Sequence, residues 1–211
     1  DGKGQLLSVT NPEGETVTQE WNEKGKLQSQ TNGEGERTTY DYDAKGNLIS
    51  VFQSNGNVLN YFYDQVDRIS QISDNIGVIA NYTYDANGNR LTVTDGLNRT
   101  MTYTYDGLNR RTTEALPSGA TTTYAYDGNS NLLTITDANG NATTYTYSSL
   151  NQQVSHTDAL NAKTQFEYDA NGNLTKVIDA NGHATTYTYD VLNRNTDISF
   201  ANGATLQYGY D

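Results

Sequence analysis

The chain has two histidines and no cysteine among 211 residues, which narrows nucleophilic chemistry at once. Only His156 and His183 could act as a base for a Ser or Thr nucleophile. His183 stands beside a turn. At 21-residue spacing its position is otherwise filled by Glu15, Glu36, Asn57, Val78, Arg99, Ala120, Asn141, Ala162 and Ala204. A position that accepts all of these reads as exposed surface rather than a site. His156 falls among aliphatic residues, with Gln30 and Glu114 as the other polar members. It reads as part of a strand face that is locally less buried, set against the alternative of a functional polar patch.

Aspartates are frequent enough to suggest paired carboxylates, but an acid/base pair needs two carboxylates in distinct environments. Here they recur in equivalent columns, one directly after an aromatic residue and another at Asp74, Asp95, Asp137, Asp158 and Asp179. Equivalence points to side chains that cap turn backbone. The stretch "DANGN" invites a calcium reading, yet the EF-hand loop places Gly sixth, and here it is fourth after Asp85 or Asp169. No metal and no cofactor are expected. Rows of tyrosine beside polar residues could stack on sugar rings; the same rows could also serve the packing of a repeat sheet.

These residues are positioned by a repeat, the feature to establish first. Trp21, Tyr42, Tyr63, Tyr84, Tyr105, Tyr126, Tyr147, Tyr168, Tyr189 and Tyr210 lie 21 residues apart with no insertion or deletion. Two residues before most of them stands a second aromatic, at Tyr40, Tyr61, Tyr82, Tyr103, Tyr124, Tyr145, Phe166, Tyr187 and Tyr208. The two columns hold all 17 tyrosines and are read as a structural ladder. Two further columns are read as turns. One runs Gly4, Gly25, Gly46, Asp67, Gly88, Asn109, Ser130, Asn151, Gly172, Asn193. The other runs Gly14, Gly35, Gly56, Gly77, Asn98, Gly119, Gly140, Asn161, Gly182, Gly203. Nearly all are Gly or Asn, the residues that tolerate positive φ. Where Asn replaces Gly, Leu precedes it, as in Leu97, Leu108, Leu150, Leu160 and Leu192. "NG" and "LN" therefore read as two solutions to one turn, with the leucine expected to fold back over the hairpin.

Between the turns lie strands. "TTYTYD" alternates β-formers, so Thr102 and Thr104 point to one face and Tyr103 and Tyr105 to the other. A second segment carries an aliphatic column at Val9, Val51, Ile72, Val93, Ile135, Val177 and Ile198. No segment sustains a 3.6-residue period, so no helix longer than a turn is expected. Short Asn-Gly turns at Asn55, Asn87, Asn139, Asn171, Asn181 and Asn202 favour antiparallel hairpins over a parallel coil. The expected fold is all-β: about ten 21-residue hairpins over residues 1–211 in one continuous array. A sheet of that many strands should curl into a spiral, because strands twist.

Composition sets outer bounds. The apolar fraction is 34%, the mean hydropathy is -0.76 and the formal net charge is -12. Such values would suggest disorder, but aromatics in strict register indicate order passed from unit to unit. The acidic balance argues against nucleic acid and against anionic membranes. No apolar run of about 18 residues is present to insert as a membrane-spanning helix. The array starts and stops within a repeat and shows no capping units, so the chain is expected to be part of a longer protein.

The unit "Y-D-A-N-G-N-L-T-x-V-x-D-A-N-G-x-x-T-x-Y-x-Y-D" resembles the YD repeat, also called the Rhs repeat, over essentially the whole chain. That family includes bacterial Rhs and polymorphic toxins, insecticidal toxin complexes and teneurins. The resemblance implies a strip of hairpins wound into a hollow shell, which in the bacterial toxins encloses a toxic polypeptide. It also implies a secreted or cell-surface protein, of bacterial origin. Two departures stand out. Family shells end in an autoproteolytic aspartate site near Asp-Pro motifs, whereas Pro12 and Pro117 follow Asn and Leu, so no such role passes to any residue here. The first repeats also drift, with Gln19 and Trp21 in the two aromatic columns. The expected function is a non-catalytic shell segment whose partners are the rest of its own chain and an enclosed toxin polypeptide. The alternative is a displayed module that binds glycan or a partner protein.

Overall fold

The computed structural model describes residues 2–211. It contains twenty strands belonging to one sheet, and no helix among the described residues. By its contacts the chain divides into two compact units, Asp1–Thr102 and Tyr103–Asp211.

The first unit carries β1 (Ser8–Thr10), β2 (Thr16–Trp21), β3 (Leu27–Thr31), β4 (Arg37–Tyr42), β5 (Leu48–Phe52), β6 (Val58–Tyr63), β7 (Ile69–Ser73), β8 (Val78–Tyr84) and β9 (Arg90–Asp95). The boundary falls within β10 (Thr100–Tyr105). The second unit continues with β11 (Arg111–Ala115), β12 (Thr121–Tyr126), β13 (Leu132–Thr136), β14 (Ala142–Tyr147), β15 (Gln153–Thr157), β16 (Lys163–Tyr168), β17 (Leu174–Ile178), β18 (Ala184–Tyr189), β19 (Asn195–Ser199) and β20 (Thr205–Gln207). From β1 to β10 each strand pairs antiparallel with its successor, and so does each from β11 to β20. The antiparallel hairpin reading of the sequence is what the chain forms.

Two kinds of register alternate. The β5–β6 hairpin has three regular pairs, Ser50↔Asn60, Val51↔Leu59 and Phe52↔Val58. The β4–β5 hairpin pairs Thr39↔Phe52, Tyr40↔Val51, Asp41↔Ser50 and then Tyr42↔Leu48, leaving Ile49 as an extra residue. This bulge recurs at the same place in β2–β3, β6–β7, β8–β9, β12–β13, β14–β15, β16–β17 and β18–β19. A bulge bends its strand and increases local twist, so the repeat builds one such bend into each unit.

The loops share one geometry, apart from the one at Asp74–Gly77. Gly46 N–H donates to Asp43 O at 3.1 Å, and Asp43 N–H donates to Asn47 O at 2.9 Å. That is a three-residue loop: a tight turn followed by one left-handed residue, here Gly46 at φ 94°. Of the two turn columns, Gly77 alone lies outside the left-handed region. In the "NG" loops the glycine is left-handed, and in the "LN" loops the asparagine is, at Asn98, Asn109, Asn151, Asn161 and Asn193. The leucines do not fold back. Leu97, Leu108, Leu150, Leu160 and Leu192 are 63–87% exposed. The turn is closed by its own backbone hydrogen bonds, so no side chain has to cover it.

Candidate functional site

In β4, β5 and β6 the cross-strand row on one face reads Tyr40↔Val51↔Leu59, and the next rows read Tyr61↔Ile72↔Ala80 and Tyr82↔Val93↔Met101. In the second unit the rows are Tyr124↔Ile135↔Thr143, Tyr145↔His156↔Thr164, Phe166↔Val177↔Thr185 and Tyr187↔Ile198↔Leu206. The second aromatic column thus faces the aliphatic column directly. Alternation along the strands sends the intervening residues, among them Ser50, Asn60, Thr83 and Thr92, to the opposite face. There the side chains pair with one another: Thr83 with Thr92 at 2.7 Å, Ser50 with Asn60 at 2.9 Å, Gln71 with Asn81 at 2.7 Å and Thr146 with Ser155 at 2.7 Å. The sheet is a single layer. Val51, Ala80 and Tyr103 are its buried hydrophobic residues, and most of the aromatic row is half-buried.

The first aromatic column does something different. The Tyr42 hydroxyl donates to Leu27 O at 2.9 Å, fifteen residues earlier in the chain. The same bond joins Tyr63 to Leu48, Tyr84 to Ile69, Tyr126 to Arg111, Tyr147 to Leu132, Tyr168 to Gln153, Tyr189 to Leu174 and Tyr210 to Asn195, at 2.7–3.0 Å. The acceptor sits where neighbouring hairpins part: the β3–β4 ladder ends at Ser29↔Thr39, two residues short of Leu27. The hydroxyl therefore satisfies a carbonyl that the sheet leaves open. Trp21 performs the same task in the drifted first repeat, its indole N–H donating to Leu6 O at 2.8 Å. Burial raises the phenol pKa of Tyr42, Tyr63, Tyr84 and Tyr147.

The loops beside these tyrosines form one rim of each unit, and they are tied to their neighbours. Arg68 donates to Asp85 O at 2.9 Å, and its guanidinium lies 4.5 Å from the Tyr84 ring centre. Arg110 repeats this with Asp127 O at 2.7 Å and Tyr126 at 4.8 Å. Where the same position is asparagine, its amide reaches the left-handed residue of the next loop: Asn47 to Asp67, Asn131 to Asn151, Asn173 to Asn193. Lys45 adds an ion pair to Asp67 at 2.6 Å. Neither the hydroxyl bridge nor this stitching was read from the sequence. The only signal for them was that the first column admits Tyr or Trp, which carry a donor, and no Phe.

The aspartates at loop starts cap their own loops. Asp85 Oδ1 accepts from Asn87 N–H and Asn89 N–H, and Oδ2 accepts from the Asn89 side chain at 2.8 Å. The Asn89 amide, first among several hydrogen bonds, holds the Asp85 carboxyl below the usual carboxylate range. Asp106 is held low chiefly by the Arg110 side chain, and Asp179 chiefly by the His183 backbone N–H. Among the described residues no group of three or more His, Cys, Asp or Glu side chains is placed to hold a metal ion.

The histidines lie apart in role. His183 is exposed at a loop, its Nδ1 3.2 Å from Asp179 Oδ2. His156 is half-buried, 6.3 Å from the Tyr145 ring and 5.8 Å from Phe166, with Nδ1 3.5 Å from the Gln153 amide. The other polar members of its column are likewise partnered. Gln30 meets Gln19 at 3.4 Å, and Glu114 pairs with Arg111 at 2.8 Å, whose guanidinium lies 4.8 Å from the Tyr124 ring.

Solved structures share this fold over most of the chain. The crystal structure of TcdB2-TccC3 without its hypervariable C-terminal region matches with a TM-score of 0.72 and 20% identity, over 92% of this chain and 13% of that one. A TcdB2-TccC3-TEV crystal structure matches at 0.73 and 20%, over 94% and 13%. The Tc holotoxin pore of Photorhabdus luminescens matches at 0.64 and 16%, over 87% and 14%. The likeness is one of fold, and the chain spans about an eighth of the length of these structures. No curated protein sequence matches. The RHS Repeat family model matches residues 1–37, 21–57, 63–100, 84–121, 105–141, 126–163 and 168–205. Those matches cover most of the chain, and it belongs to the RHS repeat family.

Proposed function

We propose that the chain is a wall: a non-catalytic segment of an RHS shell, one array over residues 1–211, which encloses or displays a polypeptide such as a toxin domain. The observation that carries this reading is the single-layer sheet with two unlike faces. One face pairs its own hydroxyls and amides, and the other presents a half-buried row of Tyr and aliphatic residues in each repeat. A wall needs this economy, since it must separate two compartments with little interior of its own. The ladder tyrosines and the left-handed turn residues are structural in this proposal. Partners are the rest of the longer chain and the enclosed polypeptide, and the location is secreted or at the cell surface. The family matches and the fold shared with Tc toxin structures support it.

The test uses the full-length protein with a photo-crosslinking residue at adjacent positions of opposite face. Thr143 and Thr185 pair with Ile135 and Val177 on the aromatic face; Thr144 and Thr186 lie on the other. Enclosure predicts cross-links to polypeptide outside the repeats from one face only. Equal cross-linking from both faces, or none from either, would overturn it.

A further inference from the structure

The tetrapeptide Asp-Ala-Asn-Gly occurs at Asp85, Asp137, Asp169 and Asp179, and the loops at the last three share one conformation. The glycines Gly140, Gly172 and Gly182 share φ values of 83–89°, and each glycine N–H donates to its loop aspartate at 3.0–3.1 Å. Sequence and backbone therefore make these three asparagines equivalent. Their side chains are not. The Asn171 amide donates to Asn193 Oδ1 at 3.2 Å, and the Gln152 amide lies close over Gly172. Asn139 and Asn181 are exposed, and only their backbone N–H groups are held, by Asp137 and Asp179 at 2.9 Å. The space beside Gly140 and Gly182 is open.

We propose that Asn139 and Asn181 are sites of spontaneous deamidation, and that Asn171 is protected by its tie to Asn193. The reacting atoms are the glycine backbone nitrogen and the asparagine Cγ, unhindered because glycine has no Cβ. Hydroxide removes the glycine amide proton. The nitrogen then bonds to Cγ, the Cγ–Nδ2 bond breaks, and ammonia leaves with a proton from water. The resulting succinimide is opened by water at either carbonyl, giving aspartate or an isoaspartyl link. Reaction requires the asparagine side chain to swing onto the nitrogen of the next residue. In all three loops the glycine N–H must leave its aspartate carbonyl; Asn171 must in addition give up its side-chain bond to Asn193, whereas the side chains of Asn139 and Asn181 have none to give up. An isoaspartyl link adds a carbon to the backbone of a three-residue loop. The Asp137 N–H bond to Asn141 O, 2.9 Å in this structure, spans that loop and is lost with the change in length.

The experiment is incubation of the folded protein at mildly alkaline pH, with isoaspartate and the one-dalton mass gain quantified peptide by peptide. Asn139 and Asn181 should convert severalfold faster than Asn171. In Asn193→Gly the left-handed backbone, φ 59°, is kept while the acceptor is removed. Conversion at Asn171 should then rise to the rate at Asn139, which itself stays unchanged. Unfolding in denaturant should bring the three sites together in the native sequence. Equal rates at the three sites in the folded native protein would overturn the proposal, and so would an Asn193→Gly variant, folded by circular dichroism, in which Asn171 stays slow.

Discussion

Each unit of the sheet has two rims, and the chain treats them differently. The tyrosine rim, with loops starting at Asp43, Asp64, Asp127 and Asp169 among others, is bound from repeat to repeat by hydroxyl bridges, guanidinium–ring contacts and amide links. On the opposite rim, with loops starting at Asn11, Asn32, Asp137 and Asp179 among others, each loop closes on itself. The links to neighbours described there are few and centre on one irregular hairpin. Asn75 bonds Gly56 O at 3.0 Å and Val58 N–H at 2.7 Å, and Gly96 N–H donates to Ile79 O at 3.1 Å. Repeat arrays are stabilised by unit terms and neighbour terms. Here the side-chain part of the neighbour term is concentrated on one rim, and the other rim is free to vary.

The largest contrast should come from removing a whole ring. Tyr84→Ala loses the bond to Ile69 O, the Arg68 contact and a half-buried aromatic ring. Truncating a buried aromatic costs about 3–5 kcal/mol, and a half-buried one falls near or below the lower end. Urea unfolding should show such a loss. A terminal counterpart, Tyr210→Ala, should cost much less, because Tyr210 is 47% exposed at the end of the array. Equal small losses at both places would mean that the tyrosines do not hold the repeats together.

The second contrast reverses the rims. The loop position of Gly96 is filled elsewhere by Ala138, Ala159 and Ala180, so the column alone makes Gly96→Ala harmless. A Cβ at Gly96 would instead lie 2.3 Å from the Val78 carbonyl oxygen, which is backbone and cannot rotate away. Overpacking of this kind costs about 1–3 kcal/mol. Gly107→Ala, on the tyrosine rim with nothing nearby, should leave the urea midpoint unchanged. A neutral Gly96→Ala would show that the irregular hairpin relaxes freely.

A smaller and more even effect is expected from acid. The loop aspartates on both rims, among them Asp64, Asp85, Asp137 and Asp179, have carboxyl pKa values lowered by loop hydrogen bonds from the ordinary 3.8. A depressed folded pKa means that the stabilisation is complete above the unfolded value and disappears as pH falls through the folded one. The urea midpoint should hold steady from pH 7 to about 5 and drop below about 4. Loops capped by Asn22 or Ser148 have no carboxylate to lose and should keep their amide protection in acid. A midpoint that declines already above pH 5 would point to groups other than these caps.

Much of this was legible in the sequence, and the limit has a physical cause. Features that repeat with the chain's own period could be read. The left-handed columns that contain Gly46 and Asn98, the facing of Tyr40 and Val51, and the capping aspartates each occupy one fixed position. What could not be read depends on how far neighbouring hairpins part. The bond from Tyr42 to Leu27 spans fifteen residues, a separation that neither strand alternation nor the 21-residue period marks. The bulge at Ile49 is equally silent, since it needs no change in length. Pairing of Leu with Asn suggested a packing role, but a loop closed by backbone bonds has no need of one. The hairpin at Asp74–Gly77 has the standard length, yet closes from Asp74 N–H to Gly77 O and gains a bulge at Ile79 in β8, where hairpins of its kind such as β5–β6 have none. An asparagine whose amide finds the neighbouring loop accompanies that difference, and no local pattern announces it.

The finest test separates the tyrosine's ring from its hydroxyl. Tyr84→Phe keeps the ring and the Arg68 contact and removes only the donor to Ile69 O. A single hydrogen bond contributes about 1 kcal/mol net, with a further cost when a part-buried partner is left open. Leu97→Ala on the opposite rim supplies the reference: the side chain is 73% exposed, and surface changes away from special features stay within about 0.5 kcal/mol. The two substitutions should therefore be separable by urea unfolding, with Tyr84→Phe the costlier. Tyr189→Phe, which removes the bond to Leu174 O in the second unit, should match Tyr84→Phe, since the geometry is the same at 2.8 Å. Phenylalanine already stands in the other aromatic column at Phe166, where the ring faces Val177 and no hydroxyl is needed. If phenylalanine in the first column proved as harmless as Leu97→Ala, the carbonyl at the parting of the hairpins would be satisfied by water, and the coupling along the tyrosine rim would reside in the rings and the loop links alone.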